Sequence, residues 1–405
     1  MPIPTITRHV AVLAALLLGT PLATLAKDNI KLGSVLDTSG NFDAYGKPMD
    51  MAADLAIDEI NASGGLLGRK VVKVGYDTQS NMALYTKFAQ QLVRQDKVDV
   101  VAGGILSASR EAIRSVLARA GVPYVYTPLY EGGVCDFNTL MVGTTPAQQA
   151  EVLVPYAVKQ FGKKAYILAA DYNYGQYMAK WFQKYLKDNG GEAVSVDFFP
   201  LDVSDFNSTI AKIQQAKPDF VISALVGGSH LSFYRQWAAA GMKAKIPMAS
   251  TTLGVGNEHK VLTSSEGDGI LVAYNYSPEL TNRANKSFLA AWSQKYGDTK
   301  LVNELAASHY QGIKLWSEAV KKAKSLKQAD LSKAFASGLA IDAPTGRLAL
   351  DPATQHVSLD VHVMEIRDQK LNIKQSFLQR PPRDTQGVCD LHKTPTSSVQ
   401  HEIKF

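Results

Sequence analysis

"KAYILAADYNYGQYMAKWFQKYLKDNGG", residues 164–191, runs from an apolar stretch through a short polar break into a helix-period stretch closed by two glycines. Strand, loop and helix in that order make one crossover of a parallel sheet. The order continues: "EAVSVDFFP" reads as strand, "LDVSDFN" as loop, "STIAKIQQA" as helix, "KPDFVISAL" as strand, "VGGSH" as loop and "LSFYRQWAAAG" as helix. Upstream, "IKLGSVLD", "TSGNFDAYG", "KPMDMAADLAIDEINASGG", "RKVVKVGYD", "TQSN", "MALYTKFAQQLVRQ", "KVDVVAGG" and "ILSASREAIRSVLARAG" follow the same grammar, down to the Gly-pair stop and the match of "KVDVVAGG" with "KPDFVISALVGG". The repeat predicts an α/β protein of two similar doubly wound parallel-sheet lobes, each built by right-handed crossovers and covered by helices on both faces.

Function in such sheets sits at the carboxyl ends of the strands, where loops enter helix N-termini. The loops are "DTSGNFDAYG", "DTQSN" and "GGILSAS" in the first half and "DYNYG", "LDVSDFN" and "VGGSH" in the second. Two facing lobes would enclose one cleft between these sets. Tyr172 and Tyr174 then stand on its rim, each offering a flat apolar wall and a hydroxyl; packing against the neighbouring helix is the plainer alternative.

The 405 residues, 46% hydrophobic and 20% charged, suffice for two domains. The formal charge of +6 is spread among acidic neighbours, and "KKAKSLK" (321–327) suits an exposed helix end, so no nucleic-acid partner is expected. Residues 1–26 have the layout of a secretory signal: Arg8, an apolar run from Val10 to Leu18, a Gly-Thr-Pro break and Thr24-Leu25-Ala26. That run is shorter than the roughly 20 residues a spanning helix needs. An exported, soluble protein is expected. Its two cysteines, Cys135 and Cys389, either form a disulfide that pins the polar tail to the body or stay as free thiols.

Catalytic signatures are missing: the chain has no G-x-S-x-G, G-x-x-x-x-G-K-[ST] or H-E-x-x-H, and "GVGNEH" (254–259) is not G-x-G-x-x-G. The histidines are scattered singly, which excludes a helical metal pair. His362, alternating with Val361 and Val363, reads as the outward side of a strand, and His230 as a hydrogen-bonding residue of a cleft loop. Neither an enzyme nor a cofactor or metal is implied.

The combination "GSVLDTSGNFDAYGKPMDMAADLAIDEINASGGLLGRKV", "SASREAI", "YTPLYEG", "VGTTPAQQAEVLVPY", "DYNYG", "DFNSTIAKIQQAKPDFVI" and "IDAPTGRLALDPATQH" resembles the type I periplasmic solute-binding proteins of ABC transporters, in the branched-chain amino acid, amide and urea branch. The resemblance covers residues 28–375. It implies lobe 1 from 27–145 and 276–345, lobe 2 from 146–275 and 346–380, and a tail at 381–405. The three crossings of the hinge then fall near Thr144 to Pro146, Tyr274 to Tyr276 and Ala343 to Arg347. Carried over from the short-chain amide and urea receptors, the ligand would meet Ser107, Tyr126, Tyr172, Tyr174, Val226 and Gly227.

In the amino acid branch a carboxylate pairs with the ligand's ammonium, and the aligned position here is Leu253. A buried ammonium without a partner is unfavourable, so an amide, a urea or a small carboxylate fits better, with Asp171 or Glu258 as the alternative partners for an ammonium. Ser107 and Ser109, at the start of a helix, either hold a carboxylate or carbonyl oxygen with the free N–H groups beside them or simply cap the helix. The resemblance implies a monomer that closes on a small solute and delivers it to a membrane permease; a periplasmic ligand sensor acting in signalling is the alternative. "RLALDPATQHVSLDVHVMEIRDQKLNIKQSF" reads as an antiparallel hairpin completing lobe 2, and the chain beyond Cys389 as disordered.

Overall fold

The computed structural model describes residues 1, 2, 4 and 28–404, so the signal segment lies outside the described residues apart from its first few positions. The chain opens with β1 (Ile30–Leu36), α1 (Asp43–Ala62), β2 (Val71–Asp77), α2 (Met82–Gln91), β3 (Val100–Gly103), α3 (Ser107–Ala120), β4 (Tyr124–Tyr126), β5 (Val134–Asp136) and β6 (Thr139–Met141). It continues through α4 (Ala150–Phe161), β7 (Lys164–Ala170), α5 (Asn173–Asp188), β8 (Glu192–Phe199), α6 (Asn207–Ala216), β9 (Phe220–Ala224), α7 (Gly228–Ala239), β10 (Met248–Ser250), the one-turn α8 (Ser264–Gly267) and β11 (Leu271–Tyr274). Three helices follow, α9 (Arg283–Tyr296), α10 (Glu304–Ala323) and α11 (Gln328–Ala336). The last elements are β12 (Ala340–Ala343), β13 (Gly346–Leu350), β14 (Val357–Arg367), β15 (Lys370–Arg380), α12 (Arg383–Gln386) and β16 (Ser398–Gln400).

The first sheet has the order β2-β1-β3-β4-β6, all parallel. In the second, β8-β7-β9-β10-β11 repeats that order, also in parallel. In each half the strand order turns back between the first and third strands, which opens a crevice at their carboxyl ends. The chain leaves the first sheet after β6 and enters the second at β7. It returns after β11, where α10 packs on α1 and β4, and crosses again after α11.

The doubling extends to single atoms. Gly46 in α1 and Gly175 in α5 occupy equivalent first turns. A Cβ on Gly46 would lie 2.0 Å from the Asp37 carbonyl oxygen, and one on Gly175 would lie 2.0 Å from the Ala170 carbonyl oxygen. Glycine lets each helix start directly against the end of its strand.

As the alternation predicted, β13, β14 and β15 are antiparallel and extend the second sheet beyond β11. His362 departs from the expectation: it is 5% exposed, with Nδ1 2.8 Å from Ser376 Oγ on β15. The strand is covered on both faces, α4 and α8 packing against it, so alternation does not mark a solvent side. The tail also departs. Past Cys389 it forms β16, antiparallel to β5 with Val399 opposite Cys135, where disorder was expected. The Cys135 and Cys389 sulfurs are bonded, and their Cα atoms are 5.2 Å apart.

Candidate functional site

Where the two crevices face each other, residues from both halves line a narrow cleft of about 370 Å³, open solvent included. The first half contributes Tyr45 from α1, Ile105, Leu106 and Ser107 at the start of α3, and Pro128 and Leu129 after β4. Tyr172 and Tyr174 at the start of α5, Val226 after β9, and Thr252 and Val255 after β10 supply the other side, and Leu305 of α10 closes it. A larger hollow of about 800 Å³, open solvent included, at the opposite end of the second sheet, beside Trp237, Lys243 and Asp268, touches one sheet only.

Of the residues singled out from the sequence, Ser107, Tyr172, Tyr174 and Val226 meet in this lining. Tyr126 does not; its hydroxyl donates to the Ile105 carbonyl at 2.8 Å and so fixes the loop that carries Ser107. Gly227 lies just behind Val226, its amide donating to the Tyr45 hydroxyl at 3.2 Å. Leu253 is buried between Thr252 and Val255 and presents its carbonyl to the Tyr274 hydroxyl, 2.7 Å away. Asp171 is exposed and holds the Gln176 amide at 3.0 Å, outside the cavity. Ser109 keeps the plainer role: its hydroxyl donates to the Leu106 carbonyl and accepts from the Ile105 amide.

Tyr45 was not singled out. A signal for it was present, because "AYG" at 44–46 repeats "NYG" at 173–175, and the two tyrosines meet the cavity from opposite sheets.

Donors and acceptors around the cavity are unevenly committed. Ser107 Oγ donates to Glu131, and Thr252 Oγ1 donates to the Leu225 carbonyl at 2.6 Å. Tyr174 shares a hydrogen bond of 3.2 Å with Thr251. The Tyr172 hydroxyl has no partner among the described residues, and its ring lies 6.0 Å from that of Tyr174. The amides of Ser107, Ala108 and Ser109 in α3, and of Asn173 and Tyr174 in α5, precede the first helical hydrogen bonds and have no acceptor inside their helices. Burial pushes the Tyr172 and Tyr174 hydroxyls well above the ordinary phenol range, so both stay protonated.

Three carboxyl groups border the site. Glu131 is ion-paired with Arg110 at 2.8 Å, and both side chains are buried. Burial alone would lower the Arg110 guanidinium, but the neighbouring Glu131 and Glu111 carboxylates hold it above its usual range. Glu258 accepts from the Gly254 and Gly256 amides at 2.8 and 2.9 Å and lies 3.3 Å from His230 Nε2. Burial pushes Glu258 up; His230, the backbone amide and the Tyr45 hydroxyl together outweigh it, leaving the carboxyl below its normal value. Glu304, next to Leu305, is different. Burial raises it to about 7 against a single opposing hydrogen bond from Ser308, and its Oε2 has no partner among the described residues.

The family model of periplasmic binding proteins matches residues 29–370. The chain belongs to the periplasmic binding protein family. Relatives of this periplasmic binding protein include the Leu/Ile/Val-binding protein homolog 7 of Brucella suis biovar 1 (strain 1330), 27% identical over 88% of this chain and 93% of the relative. A solute-binding protein of an ABC transporter from Rhodopseudomonas palustris HaA2, solved with p-hydroxybenzoic acid, superposes with a TM-score of 0.77 at 25% identity, covering 88% and 98% of the two chains. The branched-chain amino acid transporter substrate-binding protein of Streptococcus pneumoniae str. Canada MDR_19A, solved with isoleucine, gives 0.74 at 24% over 87% and 100%. The two-lobed type I fold and the solute-binding class follow, and with them a binding protein rather than an enzyme. Membership of a family of periplasmic binding proteins agrees with the periplasmic place expected from the sequence.

Proposed function

We propose that this periplasmic binding protein is the substrate-binding component of an ABC importer that captures a small aromatic monocarboxylate between its lobes and delivers it to a membrane permease. The carrying observation is the meeting of Tyr45, Tyr172 and Tyr174, from both sheets, around a cavity lined by the starts of α3 and α5, whose first-turn amides have no acceptor inside their helices. Flat apolar walls suit an aromatic body, and helix N-termini with free N–H groups suit a carboxylate. Among the described residues no carboxylate side chain lines the space, and Glu258, the acid nearest to Leu253 in sequence, is engaged by two backbone amides and His230. The Rhodopseudomonas relative solved with p-hydroxybenzoic acid supports the same reading. Closure about the three passages near 144–146, 274–276 and 343–347 would bury the solute, the ligand favouring the closed state.

Titration calorimetry against 4-hydroxybenzoate, benzoate, isoleucine, acetamide and urea tests the assignment. Binding of the two benzoates and not of isoleucine is expected, and the reverse overturns it. One observation favours a branched-chain amino acid instead: Glu304 Oε2, buried and unpartnered beside Leu305, could face an ammonium. In that case isoleucine binds and Glu304→Gln abolishes its binding. Delivery, as opposed to sensing, is tested by co-purification of the loaded protein with candidate permeases.

A further inference from the structure

Beyond the region matched by the family, the chain does not stop at the second sheet. After β15 the segment from Pro381 passes over the first hinge passage, where Asp384 accepts from Thr145 Oγ1 at 2.8 Å and from the Ala147 amide at 3.1 Å. It is bonded to β5 through Cys389 and Cys135 and then pairs with β5 as β16. That register sets Gln400 opposite Val134, and the His401 amide donates to the Gly133 carbonyl at 2.8 Å. Gln400 is thereby held behind the cavity wall. Its Nε2 donates to Glu131 Oε1 at 2.6 Å and its Oε1 accepts from Arg110 Nη2 at 3.0 Å.

The consequence falls on Ser107. Glu131 Oε1 receives Arg110, Gln400 and, at 3.4 Å, Asn173; among the described residues Oε2 receives Ser107 alone. Glu131 is 2% exposed, so turning the serine proton toward the cavity would strip Oε2 of its donor inside the protein. A hydroxyl has one proton and two lone pairs, and this proton is already committed. We infer that the C-terminal strap is part of the solute site: Gln400 and Arg110 hold Glu131 behind Ser107, so that Ser107 meets the solute only as an acceptor and selects solutes that offer an O–H or N–H there. This rests on the cavity being the solute site. Within the aromatic carboxylates it favours a ring bearing a hydroxyl or amino group toward Ser107, leaving the carboxylate, across the ring, to the first-turn amides of α5 and the Tyr172 hydroxyl.

The test is calorimetry on the full mature chain with two probes of similar shape, 4-hydroxybenzoate and 4-fluorobenzoate, of which only the first carries the donor. The protein is expected to prefer the hydroxyl by about tenfold, the worth of one good hydrogen bond. Ser107→Ala should bring the ratio near one. Glu131→Gln should lower the ratio while leaving a hydroxyl in place, because the glutamine amide donates to Ser107 and returns its proton to the cavity, where the fluorine no longer faces a lone pair. Gln400→Leu, on the partly buried strap, gives a reading should the Glu131 variant fail to fold; a lowered ratio is expected. A strap that only stabilised the fold would weaken both probes alike, so an unchanged ratio in Gln400→Leu overturns its part in selection. Equal affinity of the unaltered protein for the two probes overturns the inference alone. Binding of neither probe overturns the functional reading and this one together.

Discussion

Glu304 carries its buried carboxyl at about 7 where an unfolded chain would hold it near 4.5. Because the raised value belongs to the folded state, that state binds the extra proton between these limits, and stability falls as pH rises from about 4.5 to 7. The slope is worth about 3 kcal/mol at most. Glu304→Gln is expected to flatten this part of a pH–melting profile followed by circular dichroism; an unchanged profile would show that Glu304 is solvated. At the cavity, the double variant Tyr172→Ala/Tyr174→Ala should lose tenfold or more in solute affinity, through lost ring contact and hydroxyls, with its far-ultraviolet spectrum unchanged. Unaltered affinity in titration calorimetry would remove both tyrosines from the site. Tyr172 and Tyr174 were legible because they interrupt a strand-to-helix turn, where small polar residues are usual. Arg110, Glu131 and Gln400 were not. Gln400 lies 290 residues from Arg110, and only the strand pairing of β16 brings them together.

At the scale of elements, the equivalence of α1 and α5 makes a paired prediction. Gly46→Ala and Gly175→Ala each force a methyl group against a strand carbonyl, and each should destabilise the protein by about 1–3 kcal/mol. Urea unfolding measures this, and a neutral result at either position would mean that the helix start has room to shift. The order of strands and helices could be read directly, since parallel crossovers force strand, loop and helix to alternate and the glycine pairs mark where helices stop. What could not be read was which faces are covered. The pattern around His362 is that of a half-exposed strand, yet β15, α4 and α8 enclose it, and burial of that kind depends on partners distant in sequence. The tail misled for a related reason. A strand as short as Ser398–Gln400 has no periodicity of its own and exists because β5 offers it an edge.

For the whole molecule, the Cys135–Cys389 bond closes a separation of 254 residues. Its loss through Cys389→Ser should lower stability by about 2–4 kcal/mol, and mass mapping without reductant should find no free thiol. Two free thiols in that experiment would remove the strap's covalent anchor. The solute, if it closes the lobes, should also reduce the radius of gyration measured by solution scattering. Three passages of chain join the sheets, and by themselves they would let one lobe both swing and twist against the other. The strap adds a fourth line between them, rooted in β15, bonded at β5, and reaching α5 again through Lys180 and Glu402, 3.2 Å apart. A door hung with a chain on its far side opens along one arc and only so wide. If the lobes part, the tail would then set how far they can gape.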